Sequence, residues 1–400
     1  MQKKTVTKTL LIIMILFFWF AQFVYIPYHT PYLLSLGAVS SFVGIIVGSY
    51  GFAQVLFRIP VGVFADRRTG QKKLIYIGLL CTAAASAIRI IFPVPAAFLV
   101  ANFLSGMTSA TWVAVIVFFS SLFEQSELKK ATGIAIASNN GGILLAFIAS
   151  AYINEARGVT FLFAASIISA FLSILTLIFV KEHRAQATQI KQIDLKGILQ
   201  DKSLIFYSLL GLVMQAVIFS TTLSFTTSYA KKLTGAETEL AFLMIVFMTV
   251  GVLSSLMVGS AKRWSNKTLI TGLFACLVVY CVLTPLTTAM WQLYILQGIC
   301  GIANGALMSV LMTCAMENAQ QGYRSTTMAV FQASYGIGMT LGPIVMGALV
   351  GYFGYMVGFI SMAVLSIVGI VAVQLRKLKG DKLVNRHDSA ALPSENGDWL

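Results

Sequence analysis

Gly62-Val63-Phe64-Ala65-Asp66-Arg67-Arg68-Thr69-Gly70-Gln71-Lys72-Lys73 separates two apolar stretches near the start of the chain. A small residue sits near the end of an apolar helix, an acid follows four positions later, and a glycine turn leads into paired lysines. Helices buried in lipid emerge only at a water-facing surface, and Lys/Arg clusters mark that surface as cytoplasmic. The rest of the chain points to a membrane. It is 58% hydrophobic and 10% charged, whereas an ordinary globular domain carries about 25% charged residues. Mean hydropathy is +0.85. Runs such as 10–28, 74–92, 158–180 and 354–375 each match the roughly 20 residues that cross the hydrocarbon layer.

Working outward from this loop, the sequence divides into spans at 10–28, 40–65, 74–92, 96–122, 131–153 and 158–180. A second set follows at 203–230, 239–259, 268–287, 291–315, 325–352 and 354–375. The net charge of +14 is then placed asymmetrically. Lys3, Lys4, Lys8, Arg67, Arg68, Lys72, Lys73, Lys129, Lys130 and the bases of 181–202 fall on one side. Arg89, Arg157, Lys231 and Lys232 fall on the other, and Arg58 lies within a span. This asymmetry predicts cytoplasmic termini in a multi-pass protein of the cell membrane. Attraction to anionic headgroups accounts for the excess charge. Nucleic acid is not an expected partner, because no basic face carries interleaved stacking aromatics. The run 10–20 behind Lys3, Lys4 and Lys8 lacks a small-residue cleavage motif and reads as a retained helix.

The loop resembles the signature of the major facilitator superfamily of transporters, G-x-x-x-D-R-x-G-x-K-K, with one extra residue before the second glycine. A repeat supports the resemblance: a shift of 196 residues lays Ala137-Ser138 on Ala333-Ser334, Gly142 on Gly338 and Arg67 on Arg263. Superfamily folds are built from such parallel six-helix repeats. The resemblance implies an all-α integral membrane protein, with twelve transmembrane helices in two pseudo-symmetric six-helix bundles. The expected organisation is a first bundle at 1–180, a cytoplasmic linker at 181–202, a second bundle at 203–379 and a disordered tail at 380–400.

The resemblance assigns a conformational latch to Gly62, Asp66, Arg67, Gly70, Lys72 and Lys73. Asp66 would meet the start of the eleventh span near Ser325, where a helix dipole favours a carboxylate. Gly62 would let a neighbouring backbone approach, and the two lysines would hold the loop at the inner leaflet. Arg58 either faces protein or snorkels to the interface. Arg89, close to a span end, is expected to snorkel.

Cavity candidates are polar or aromatic residues on spans that line the superfamily's central cavity: Trp19, Gln22, Tyr25, Asn102, Asn139, Asn140, Gln215, Gln297, Asn304, Gln332 and Tyr335. An amide unpaired against lipid costs several kcal/mol, so each must face protein or water. They imply a largely neutral cavity with aromatic walls. Glu124, Glu155, Glu237, Glu239 and Glu317 read as helix-end or loop residues. The histidines His29, His183 and His387 are scattered, and the five cysteines lack metal spacing. Catalytic residues, cofactors and metals are therefore not expected.

The closest pattern is that of twelve-helix drug:proton antiporters, with two departures. Their fourth span carries an arginine four residues before a glycine, and counting back from Gly106 gives Asn102. Their fifth span carries G-P-x-x-G-G, and here Ala137-Ser138-Asn139-Asn140-Gly141-Gly142 keeps the paired glycines without the proline. The expected function is proton-coupled export of small amphipathic organic molecules by a monomer, through alternating access. The alternatives are an uptake permease for a small metabolite and a transport-silent membrane receptor.

Overall fold

The computed structural model describes residues 2–65, 70–123, 127–180, 198, 200–234, 238–258, 265–317 and 324–376. Asp66 and Arg67, nearly all of the linker and the tail lie outside the described residues. Helix 1 is Gln2–Phe23 continuing as Ile26–Ser35, helix 2 is Ser40–Ala65 and helix 3 is Gln71–Ile91. Helix 4 is Pro95–Ala110 continuing as Trp112–Ser120, helix 5 is Leu128–Arg157 and helix 6 is Val159–Ile178. Helix 7 runs Lys202–Ser220, passes through a π-helical turn at Thr221–Phe225 and resumes as Thr226–Thr234. Helices 8, 9 and 10 are Thr238–Val258, Asn266–Leu283 and Met290–Met316.

Among the described residues, eleven helical stretches are long and apolar enough to cross a membrane. The last lies within a helix, Arg324–Leu375, that has 52 residues and would be about 78 Å long if straight, against a hydrocarbon layer of about 30 Å. It turns back at Gly354, whose φ of 83° is the left-handed region that glycine enters without a Cβ penalty. The two sides of Gly354 are helices 11 and 12, and the chain crosses twelve times.

The repeat reaches the irregularities of the fold. Helix 1 breaks between Phe23 and Ile26, and helix 7 has its π turn at Thr221–Phe225, one repeat length further on. A lysine at the start of helix 3 and one at the start of helix 9 are used alike. Lys72 donates to the Val180 carbonyl at 2.7 Å and the Ile178 carbonyl at 3.4 Å. Lys267 donates to the Gln374 carbonyl at 3.2 Å. A cation at a helix C-terminus is stabilised by the dipole and by the orphan carbonyls there. Lys72 therefore caps helix 6, while Lys73 is exposed. Replacing Lys72 by Met should lower thermal stability by about 0.5–2 kcal/mol, and Lys73→Met should not. Unfolding of the two purified variants in the same detergent tests this.

The halves meet along helices 2 and 11 through small residues. A Cβ at Gly44 would strike the Pro343 carbonyl and lie 3.1 Å from Gly347 Cα. One at Gly51 would lie 2.7 Å from the Met339 backbone. Gly44 lies toward the end of helix 2 remote from the residue 70 loop, and Gly51 near its middle. At the same remote end, Thr30 and Ser224 hydroxyls pair at 3.0 Å, joining helix 1 to the π turn of helix 7. Toward the loop, the Trp112–Ser120 part of helix 4 packs chiefly on helices of its own half. At Gly62 a Cβ would meet nothing within 4 Å in this state, and close backbone approach is made higher on helix 2, at Gly44, Gly48 and Gly51.

Candidate functional site

The break in helix 1 places Gln22, Tyr25 and His29 against helices 3 and 4. Helix 3 offers Thr82, Ser86 and Arg89 at the i, i+4, i+7 spacing of one helix face, and all three are buried. Gln22 Nε2 donates to Thr82 Oγ1 at 2.9 Å and to the Ser105 carbonyl at 3.3 Å. The Tyr25 hydroxyl pairs with Ser105 Oγ at 3.3 Å. Arg89 Nη2 donates to Asn102 Oδ1 at 3.0 Å and Ser105 Oγ at 3.1 Å. The Asn102 amide in turn donates to the Ile46 carbonyl at 2.8 Å, tying helix 2 into the network.

Arg89 is only 1% exposed, so it does not snorkel. Its Cζ lies 4.4 Å from the Tyr25 ring centroid and 5.9 Å from that of Phe163, which supplies cation–π attraction. The stem turns inward because Asn102, Ser105 and Tyr25 offer acceptors and a ring face, whereas the lipid side offers neither. Two of the five guanidinium N–H groups are used on Asn102 and Ser105. Nε and Nη1 are buried without a hydrogen-bond partner, as are Gln22 Oε1 and His29 Nε2. Each such group costs about 1–3 kcal/mol, more when charged.

Beside this network lies a small cavity of about 30 Å³ between the halves. Gln22, Phe23, Tyr25, Ile26 and His29 of helix 1 form one wall, with Val47 and Tyr50 of helix 2 and Asn102 of helix 4. Phe219 and Leu223 of helix 7 close the opposite side. The Tyr50 and Phe219 rings stack across the halves at 5.8 Å.

Three of the expected cavity residues, Gln22, Tyr25 and Asn102, come together here, and the others do not. Trp19 stacks edge-on against Trp112 at 5.3 Å, inside the first half. Gln297 is fully buried within the second half, where Thr222 donates to it at 3.4 Å and also bonds Tyr280 and Cys300. Gln215 reaches Met308 Sδ at 4.0 Å. Asn139, Asn140, Asn304 and Gln332 are half-buried and form no part of the cavity wall. Tyr335 lies at the interface between halves, where Arg58 donates to its hydroxyl at 3.0 Å. Arg58 is 3% exposed and therefore faces protein.

Matches to known proteins agree with this architecture. The family model described as Major Facilitator Superfamily matches residues 11–288 and 228–394. The chain belongs to the Major Facilitator Superfamily. It is a multi-pass membrane transporter, not an enzyme. It is 24% identical over 364 residues to the inner membrane transport protein YajR of Escherichia coli, covering 89% of this chain and 80% of that protein. It is 24% identical over 249 residues to a protein of Lactococcus lactis named as a homolog of the multi-drug resistance efflux pump PmrA, covering 60% and 59%. The fold is similar to a bacterial homolog of the human lysosomal transporter Spinster in an inward-facing, unoccupied conformation. There the TM-score is 0.74 at 14% identity, covering 93% of this chain and 96% of that one.

Asn102, which stands on helix 4 where drug:proton antiporters carry an arginine, accepts a hydrogen bond from an arginine of helix 3, Arg89. No acid, lysine or arginine lines the cavity, and the positive charge of Arg89 stands behind the wall that Tyr25 and Asn102 form. Arg89, His29 and Tyr50 were not among the expected site residues. The signal for Arg89 was the stripe Thr82, Ser86, Arg89: three polar side chains on one face of a lipid-spanning helix have to face protein.

Proposed function

We propose that this transporter exports small amphipathic organic molecules by alternating access, driven by the proton gradient. The observation that carries this reading is the aromatic cavity between the halves, sited where helices 1 and 7 both depart from α-helical geometry. π turns and helix breaks recur at functional sites because they leave backbone groups and side chains free to be redirected. Tyr25, Tyr50 and Phe219 supply flat apolar surface, and Gln22 and Asn102 supply a few directed polar groups, as small-molecule sites require. Cytoplasmic termini, which follow from the charge asymmetry, would make the contacts at Gly44 and Thr30 an extracellular closure. The state described here would then be closed to the outside.

Similarity to a protein named as an efflux-pump homolog supports export. The test is flux into inverted membrane vesicles. Acidifying the lumen should drive accumulation of an exported organic probe such as a fluorescent aromatic dye at least severalfold above vesicles lacking the protein. Dissipating the gradient should abolish the difference. Accumulation confined to right-side-out vesicles would instead establish uptake.

A further inference from the structure

We infer that the cargo of this transporter carries a carboxylate, and that Arg89 is the residue that selects for it. The inference deepens the transport reading above and rests on it. A guanidinium remains protonated under all physiological conditions. A charge withdrawn from water normally faces an opposite charge, because desolvation is otherwise uncompensated. Arg89 has only neutral partners, namely Asn102 Oδ1, Ser105 Oγ and the Tyr25 ring. Among the described residues, no carboxylate pairs with it, and its Nε and Nη1 groups have no acceptor at all. The first half thus holds a built cationic centre whose counter-charge is not supplied by the described chain.

The cavity is where a counter-charge can come. Tyr25 and Asn102 contact Arg89 directly and also form cavity wall, and His29, on the same wall, is within its electrostatic reach. From the other side, Arg58 points at Tyr335 without an acid, and Tyr50 stands within electrostatic reach of both Tyr25 and Arg58. Arg89 stands directly behind the cavity wall, and Arg58, two turns from the wall residue Tyr50 on helix 2, adds a second buried positive charge at longer range. A carboxylate resting against the far face of Tyr25 would lie about 8 Å from the guanidinium. At an effective dielectric constant near 20, one unit charge at that distance favours an anion over its neutral analogue roughly thirtyfold. A cation is disfavoured by the same factor. Phe23, Ile26, Phe219 and Leu223 are apolar and would meet the organic body of a cargo once the halves part, a body that a bare inorganic anion does not have.

The test is calorimetric binding to the purified full-length protein in detergent, using 1-naphthoate, 1-naphthamide and 1-naphthylmethylamine at constant ionic strength. Benzoate and decanoate extend the carboxylate series to smaller and longer bodies, and chloride serves as the inorganic control. Wild type should bind a carboxylate of this series at least tenfold more tightly than the matched amide, and the amine most weakly. Arg89→Lys keeps the charge and should keep that order. Arg89→Gln should bring naphthoate and naphthamide within about threefold of each other. Comparison within the wild-type protein decides the matter even where Arg89→Gln fails to fold. Equal or tighter binding of the amide or amine, binding of no carboxylate, full competition by chloride, or an unchanged ratio in folded Arg89→Gln would each overturn the inference. Proteoliposome flux separates the two readings. Anion-selective binding with no flux of any probe would sink the transport reading, whereas flux that prefers the amine would sink this one.

Discussion

Gly44→Val should yield folded protein that has lost at least nine-tenths of its transport, whereas Gly305→Val should yield almost no folded protein. Both glycines sit where helix backbones touch, and the difference lies in what the substitution can escape to. A Cβ at Gly305 would overlap the Gly251 carbonyl and lie 2.5 Å from Ser254 Oγ. That crossing of helices 8 and 10 is internal to the second half, which moves as one piece when halves rock. Overpacking costs about 1–3 kcal/mol where side chains can yield and more where backbone is struck. Gly44 strikes backbone too, but the struck residue, Pro343, belongs to the other half. Parting the halves at that end relieves the clash without unfolding either one. Each 1.4 kcal/mol of clash shifts the two-state population about tenfold, so a modest clash suffices to trap the transporter. Spin labels at Val39 and Phe353 report the end near Gly44, and labels at Lys73 and Leu375 report the opposite end; all four sites are exposed. The first distance should lengthen and the second shorten in Gly44→Val. Wild-type distances with wild-type flux would show that the glycine contact does not govern closure.

The spans were legible because lipid demands long apolar runs and water demands the charged breaks between them. Helix 2 occupies Ser40–Ala65, the span expected from its sequence, and the turn between the last two helices falls on Gly354. Helix 1 was legible only in part. The first span was expected to end at residue 28, yet Pro27, in the first turn of a helix, needs no N–H partner, and the helix resumes over Ile26–Ser35. His29 was hidden by that reading. Arg89 was misread because two residues separate it from the end of helix 3, near enough to water for its stem to reach. Its partner Asn102 lies on the next helix, a contact that single-helix periodicity does not reveal. Gln297 illustrates the opposite failure. An amide in a span must find partners, but Thr222 within its own half meets that need as well as a cavity would.

Asp66→Asn should push the transporter in the direction opposite to Gly44→Val. The latch proposed for Asp66 joins the end of helix 2 to the start of helix 11 when the halves close at the residue 70 loop. That is the reverse of the state described here, in which they are locked through Gly44, Gly51 and Thr30. The asparagine keeps the shape and removes the charge that a helix N-terminus stabilises by about 0.3–2 kcal/mol. Loss of that amount from one state alone shifts the population roughly twofold to thirtyfold toward the other. The Lys73–Leu375 distance should therefore lengthen in Asp66→Asn, and turnover should fall while the amount of folded protein in the membrane stays near wild type. The two substitutions act on opposite states at opposite ends of helix 2, so their free energies should add. The double variant Gly44→Val/Asp66→Asn should then have a distance distribution between those of its parents, with the Lys73–Leu375 distance longer than in Gly44→Val. If Asp66→Asn leaves both the distance and the turnover unchanged, Asp66 is an ordinary acid at a helix end. If it shifts the distance alone but the double variant matches Gly44→Val, the latch acts only when the far end is free to close. The bias would then lie in that closure and not in the carboxylate.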